Sequence, residues 1–347
     1  MVQHYPALNQ AAAPVCSVCI ANYNGAAILA DCIDSVLQQQ REISVEIIIH
    51  DDASTDDSVA FLRAHYPQVE LFVSEVNVGF CIGNNRMVAH ARGEYVLLLN
   101  NDAALYPDAL ETLLAAARNQ QPAGILTLPQ YDWQTGNLVD RGCLLDPFYN
   151  PVPNLHPDRT NVAYAIGACL FLSRALWIDL GGFPEWIGSI GEDLYLCCLG
   201  RLRGLPVAVA PGSGYRHRQG ASFGGNRIDA DKLNTTFRRR ALSERNKTAV
   251  MVVCTPTPLV WPLLAVHVAL LTLEGIILTL LKRDRRIWRD IYGRTLAWLI
   301  HEFGALRNRR REVQNVRRIS LRAYWRGFVW APRKLSLLRW HGVPTIR

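Results

Sequence analysis

The sequence predicts an α/β protein with a doubly wound, mostly parallel sheet flanked by helices, followed by a helical, membrane-associated C-terminal region. Three observations predict it. Short apolar runs alternate with segments of helical spacing over the first hundred residues, as in βαβ units joined by right-handed crossovers. These runs end in clusters of Asn and Asp, where open α/β sheets place their ligands. Beyond residue 235 long apolar stretches are set among arginines.

Taken in order, residues 1–14 read as a loose leader, without the basic n-region or apolar h-region of a secretory signal. Val15–Ala21 is the first strand, and it ends in Asn22-Tyr23-Asn24-Gly25. Ala26–Gln40 carries Ile28, Leu29, Ile33, Val36 and Leu37 at helical spacing. Val45–Ile49 is the second strand, and Ser54 or Thr55 can cap the helix Ser58–His65. Val69–Ser74 is the third strand, and Gly83-Asn84-Asn85 opens a helix through Ala91. The central strand, Tyr95–Leu99, is apolar without a break and stops at Asn100-Asn101-Asp102, as expected of a strand buried on both faces. Leu110–Pro122 is amphipathic, Gly124–Leu128 a short strand, and Pro129–Asn161 a long irregular segment. Ala163–Ser173 reads as another buried strand, Gly191-Glu192-Asp193 as the start of a helix to about Arg203, and Val207–Ala210 as a last strand.

The 347 residues carry a net charge of +7, but the two ends differ. From Lys282 onward there are 18 Lys/Arg against 4 Asp/Glu, so the preceding 281 residues are acidic by 7. A basic tail on an acidic body points to an anionic surface. No aromatic-basic module favours nucleic acid. The nine cysteines include a single C-x-x-C at Cys16 and Cys19, inside a strand pattern, and they read as small buried hydrophobes in a reducing compartment. No G-x-G-x-x-G follows the first strand and no Gly-Lys-Ser/Thr phosphate loop is present, which disfavours a dinucleotide fold and a P-loop.

The pieces SVCIANYNG, EIIIHDDASTDDS, NVGFCIGNNR, ARGEYVLLLNND, GACLFLSR, GGFPE, GEDLYLCC and HRQGAS follow one another in this order. In that order and spacing the chain resembles the inverting glycosyltransferases of family 2, which have the GT-A fold, and within them a rhamnosyltransferase-like branch. The resemblance implies a catalytic domain over 15–235, with a nucleotide-binding half at 15–102 and an acceptor half at 103–235. A basic, apolar tail then occupies 236–347. It implies that Asn22, Tyr23, Asn24 and Asp51 lie at the donor base, and that Asn77, Gly79, Asn85 and Asn101 line the nucleotide side. Asn100-Asn101-Asp102 stands where the family has its D-x-D motif, so Asp102 is the expected metal ligand, joined by His217. With Asn in place of the first Asp the site has fewer charges, and weaker binding of Mg or Mn is expected. Asp193 is the expected catalytic base, with Glu192 beside it. Arg216, Arg218 and Arg227 are further groups that could meet a diphosphate.

Leu259–Leu281 is long enough to cross a bilayer, but both flanks are basic. The positive-inside rule places both flanks on the cytoplasmic side, so a peripheral or re-entrant arrangement on the inner membrane is expected. The expected activity is transfer of a sugar from a nucleotide-diphospho-sugar, dTDP-rhamnose by the look of the branch, to a lipid-linked or surface polysaccharide. Two other readings stay open: a catalytically weak sugar-nucleotide-binding scaffold at the membrane, and a nucleotidyltransferase.

Overall fold

The computed structural model describes residues 2–9, 12–39, 43–220, 225–229 and 232–347, with backbone alone at 225–229. They form two compact units, each described separately. The first comprises Met1–Cys143, Pro153–Gly200 and Leu205–Ser222. The second comprises Leu144–Val152, Arg201–Gly204 and Phe223–Arg347.

The chain begins with β1 (Val2–Tyr5), β2 (Cys16–Asn22), α1 (Leu29–Gln39), β3 (Val45–Asp51), α2 (Ser58–His65), β4 (Glu70–Ser74), α3 (Phe80–His90) and β5 (Tyr95–Asn100). Then come β6 (Ala103–Leu105), α4 (Ala109–Asn119), β7 (Ile125–Thr127), β8 (Gln130–Asp132), β9 (Leu138–Asp140), β10 (Cys143–Leu145), β11 (Pro151–Pro153) and β12 (Cys169–Ser173). After these follow α5 (Arg174–Leu180), α6 (Glu192–Leu202), β13 (Val207–Val209) and β14 (Tyr215–His217).

Eight strands form the main sheet in the order β1-β4-β3-β2-β5-β12-β7-β13. β4, β3, β2 and β5 run parallel, and β12 lies antiparallel to both β5 and β7. Successive crossovers carry the chain outward from β2 to β4, and β5 then returns to the other side of β2. That reversal is a topological switch point, which opens a crevice at the carboxyl ends of β2 and β5. Val18, Ile20, Leu97 and Leu99 are buried in the sheet, and Leu29, Cys32, Ile33 and Val36 pack on it from α1. All nine cysteines are buried.

Four elements depart from the sequence reading. Part of the expected loose leader is strand β1, antiparallel to β4, with the His4 ring stacked on Phe72 at 4.5 Å. A short edge strand with three exposed residues carries no apolar period to read. Helix α3 begins at Phe80 rather than Gly83, because Gly79, at φ +91°, turns the chain just before it. Of the expected strand 163–173 only Cys169–Ser173 is strand; Ala163–Ala165 are buried in a loop. A continuous apolar run signals burial and does not distinguish strand from buried loop. The irregular segment 129–161 contains four strands of three residues each, too short to show a period.

The second unit contains β15 (Gly225–Asp229), β16 (Lys232–Thr235), α7 (Phe237–Cys254), α8 (Val260–Lys282), a π-helical turn at Ile287–Tyr292, α9 (Gly293–Asn315), α10 (Leu321–Trp325), α11 (Arg333–His341) and β17 (Thr345–Ile346). Helix α8 buries one stripe, Leu264, His267, Leu271, Gly275 and Leu278. Gly275 allows this contact, since a Cβ there would meet the Tyr292 side chain at 2.6 Å. The opposite side presents Val266, Leu270, Leu273, Ile277 and Leu281, all exposed. Between the helices Glu244, 1% exposed, meets Arg240 at 3.1 Å, Lys247 at 3.0 Å and Lys334 at 2.8 Å. Burial pushes this carboxyl up, but Lys247, Lys334 and Arg240 together hold it well below the ordinary range. Its stabilising effect is therefore present at neutral pH and is lost only as pH falls through that depressed value. Glu244→Gln leaves buried Lys247 without its anion, while Arg240 and Lys334 keep Glu274, and should cost about 3 kcal/mol, read as a lower denaturant midpoint by circular dichroism.

Candidate active site

Three loops at the carboxyl ends of β2, β3 and β5 are tied by buried amides and carboxylates. Asn101 Nδ2 donates to Asn22 Oδ1 at 2.8 Å, and Asn22 Nδ2 donates to Asp51 Oδ2 at 2.7 Å. Asp51 also accepts from the Ser54 hydroxyl at 2.7 Å and the Ser54 amide at 2.9 Å. A Cβ on Gly25 would lie 2.2 Å from Asn22 Oδ1 and 2.4 Å from Asn101 Nδ2, so only glycine fits here. Asn24, at φ +52°, accepts from the Thr55 amide at 2.7 Å and joins two of these loops. Tyr23 is 48% exposed on the same loop.

Asp52 was not singled out from the sequence, where it could not be told from its neighbour Asp51. It accepts from the amides of Val78 at 2.6 Å and Gly79 at 2.8 Å, while Asn77 donates to its carbonyl at 3.2 Å. It thereby clamps the loop that enters α3. Asn85 holds the backbone of Phe183 on both sides, donating to its carbonyl at 2.9 Å and accepting from its amide at 2.9 Å. A Cβ on Gly182 would lie 2.7 Å from Asn85 Oδ1. Close approach thus explains Gly182, while Gly181 ends α5 in a left-handed turn at φ +83°.

Asp102 and His217 are brought together by the pairing of β6 with β14, which sets His217 opposite Ala103. Both are buried, and His217 Nε2 lies 3.1 Å from Asp102 Oδ1. Gln130 Oε1, an acceptor, lies 2.8 Å from the Tyr215 hydroxyl and 3.2 Å from His217 Nδ1. With the proton on Nδ1, the Nε2 lone pair faces a carboxylate oxygen, and two acceptors at that distance fit a bound cation. The donor set, one imidazole and one carboxylate, suits Mn and, less well, Mg. Among the described residues no three His, Cys, Asp or Glu side chains form a cluster that could hold a metal. Arg218 is engaged by Asp31 and lies over the Trp133 ring at 3.8 Å, and Arg216 is exposed. Ala221 and Ser222 of the HRQGAS stretch lie outside the described residues, as does the side chain of Arg227.

Asp193, in the first turn of α6, is 6% exposed. Its Oδ2 accepts from the Tyr164 hydroxyl at 2.7 Å and the Gly167 amide at 2.8 Å, and its Oδ1 accepts from the Leu194 amide at 2.7 Å. Burial pushes the carboxyl up, against the pull of these three donors. Glu192 is buried beside it and acts on the Cys81 thiol, which burial pushes far up. Tyr164 and Gly167 were missed in the sequence, since no spacing links a buried run to an acid in a later helix. Gly167 adjoins Ala168, whose carbonyl accepts from the Asn100 amide at 3.1 Å. Through that bond the segment that holds Asp193 adjoins the Asn100–Asp102 turn at the carboxyl end of β5.

The family profile described as "Glycosyl transferase family 2" matches residues 17–181. The chain belongs to that glycosyltransferase family. It is 32% identical over 188 residues to a chondroitin synthase of Escherichia coli, a match covering 53% of this chain and 26% of that one. It therefore spans about a quarter of the length of that relative. An N-acetylglucosaminyl-diphospho-decaprenol L-rhamnosyltransferase of Mycobacterium tuberculosis is 27% identical over 214 residues, 53% of this chain and 69% of that one. The fold matches that of S. aureus TarS 1-349, solved in complex with UDP-GlcNAc, with a TM-score of 0.51 at 18% identity over 86% of this chain and 90% of that one. The GT-A expectation holds.

Gly25→Ala would push the Asn22–Asn101 pair apart. It should cost about 1–3 kcal/mol of stability and weaken nucleoside diphosphate binding, measured by thermal shift and calorimetry.

Proposed function

We propose that the chain transfers one sugar from a nucleotide-diphospho-sugar to a hydroxyl of a glycan or lipid-linked glycan, with inversion. The observation that carries this reading is that the segment holding Asp193 adjoins the Asn100–Asp102 turn through the Ala168–Asn100 bond. A base and a diphosphate-holding group at one strand end suit in-line displacement. Asp193 takes the acceptor hydroxyl proton as that oxygen bonds to the anomeric carbon. The bond from that carbon to the diphosphate breaks, and a nucleoside diphosphate leaves. Asp102 and His217 would hold Mg or Mn, which when bound supplies positive charge for the leaving diphosphate. The loops carrying Asn22, Tyr23, Asn24, Asp51, Asn77, Gly79 and Asn101 bind the nucleotide. Asp51, Asp52 and Asn85 shape its walls by holding backbone.

The rhamnosyltransferase relative favours dTDP-rhamnose as donor and a diphospho-lipid glycan as acceptor; a uridine-diphospho-sugar is the second choice. Among the described residues one helix, Val260–Lys282, is long and apolar enough to cross a membrane, with 28% of its apolar window buried. Its exposed apolar side, followed by Lys282, Arg283, Arg285 and Arg286, suits a helix lying in the interface of an anionic leaflet. The chain then works at the cytoplasmic face of the membrane, peripheral or re-entrant.

Asp193→Asn should abolish transfer and leave donor binding intact. Asp102→Ala should weaken Mn-dependent donor binding at least tenfold, measured by calorimetry across dTDP-rhamnose and uridine-diphospho-sugars. Because burial raises the Asp193 carboxyl, wild-type transfer should fall as pH is lowered through a value above the ordinary Asp range. Full turnover by Asp193→Asn would overturn the assignment, and release of pyrophosphate would identify nucleotidyl transfer instead.

A further inference from the structure

We propose that Tyr164 is a positioning residue that orients the Asp193 carboxylate and leaves Oδ1 as the atom that takes the acceptor proton. This rests on the reading of Asp193 as the base. The Tyr164 hydroxyl and the Gly167 amide both donate to Oδ2, at 2.7 and 2.8 Å. Oδ2 is thereby saturated by the protein's own donors. Oδ1 accepts from the Leu194 amide at 2.7 Å and carries none of the two strong donors on Oδ2, so it is the oxygen with acceptor capacity to offer substrate.

The hydroxyl is built to stay in place. Tyr164 is buried, and its backbone is paired on both sides with Cys143, at 2.8 and 3.0 Å. Gly167 completes the seat, since a Cβ there would lie 3.2 Å from Asp193 Oδ2. The titratable groups facing the pair are Glu192 on α6, Cys81 on α3 and Cys143 on β10. Burial drives the Cys81 thiol and the Tyr164 phenol far above their ordinary values, so neither ionises where the carboxylate titrates. The phenol therefore acts as a fixed donor, and it stabilises the charged form of Asp193 alone.

Removing a donor to the charged form makes Asp193 titrate higher, and a base that must be ionised then loses activity at a higher pH. Carbonyl-labelled aspartate NMR on the full chain in detergent reads the titration without any substrate, with Asp193→Asn identifying the resonance. Tyr164→Phe should raise the Asp193 midpoint by about one to two pH units. 3-Fluorotyrosine at position 164, a stronger donor with the same packing, should move it the other way. With dTDP-rhamnose or UDP-GlcNAc as donor, the acid limb of kcat/KM should follow the same shifts, with donor affinity unchanged. Midpoints that stay at the wild-type value in both variants overturn the role of Tyr164. Shifted midpoints alongside wild-type transfer by Asp193→Asn leave the Tyr164–Asp193 coupling standing and overturn Asp193 as base.

Discussion

The antiparallel docking of β12 on β5 is the constraint on which the first unit depends. β5 is paired along its whole length, with β2 parallel on one side and β12 on the other. The last rung, from the Asn100 amide to the Ala168 carbonyl, fixes where the strand stops and where the chain around Gly167 begins. That rung joins the turn that carries Asp102 to the segment whose Gly167 amide holds Asp193. Backbone pairing sets such distances more tightly than side-chain contacts can, because a ladder has a single register when both faces are buried.

Around this frame, most of the acids and amides that look like ligand contacts are spent inside the protein. Asp51 holds Asn22 and Ser54, Asp52 holds Val78 and Gly79, and Asn85 holds Phe183. Buried polar groups without partners are costly, and a crevice lined by loops exposes many backbone amides. Carboxylates that accept from those amides stiffen the loops before any ligand arrives. Positioning of this kind is what transfer between two bound substrates requires.

The second unit follows a different logic. It buries one charge cluster around Glu244 and leaves a side of α8 with apolar residues exposed. Breaking such a buried cluster is costly, because it leaves a charge without its partner.

The sequence by itself determined the βαβ order, the buried central strand, the carboxyl-end clusters and the apolar helix among basic flanks. These are local properties, written as period, run length and punctuation. Asp102, His217 and Asp193 were singled out because their motifs come in a specific order, and the structure sets the first two side by side. What only the tertiary structure decided was which of the adjacent acids holds which loop, that β12 runs antiparallel, that β1 closes the sheet edge, and that Tyr164 and Gly167 seat Asp193. Each of these depends on pairing between segments distant along the chain. Such pairing is set by register and close approach, and neither leaves a periodic trace in the order of residues.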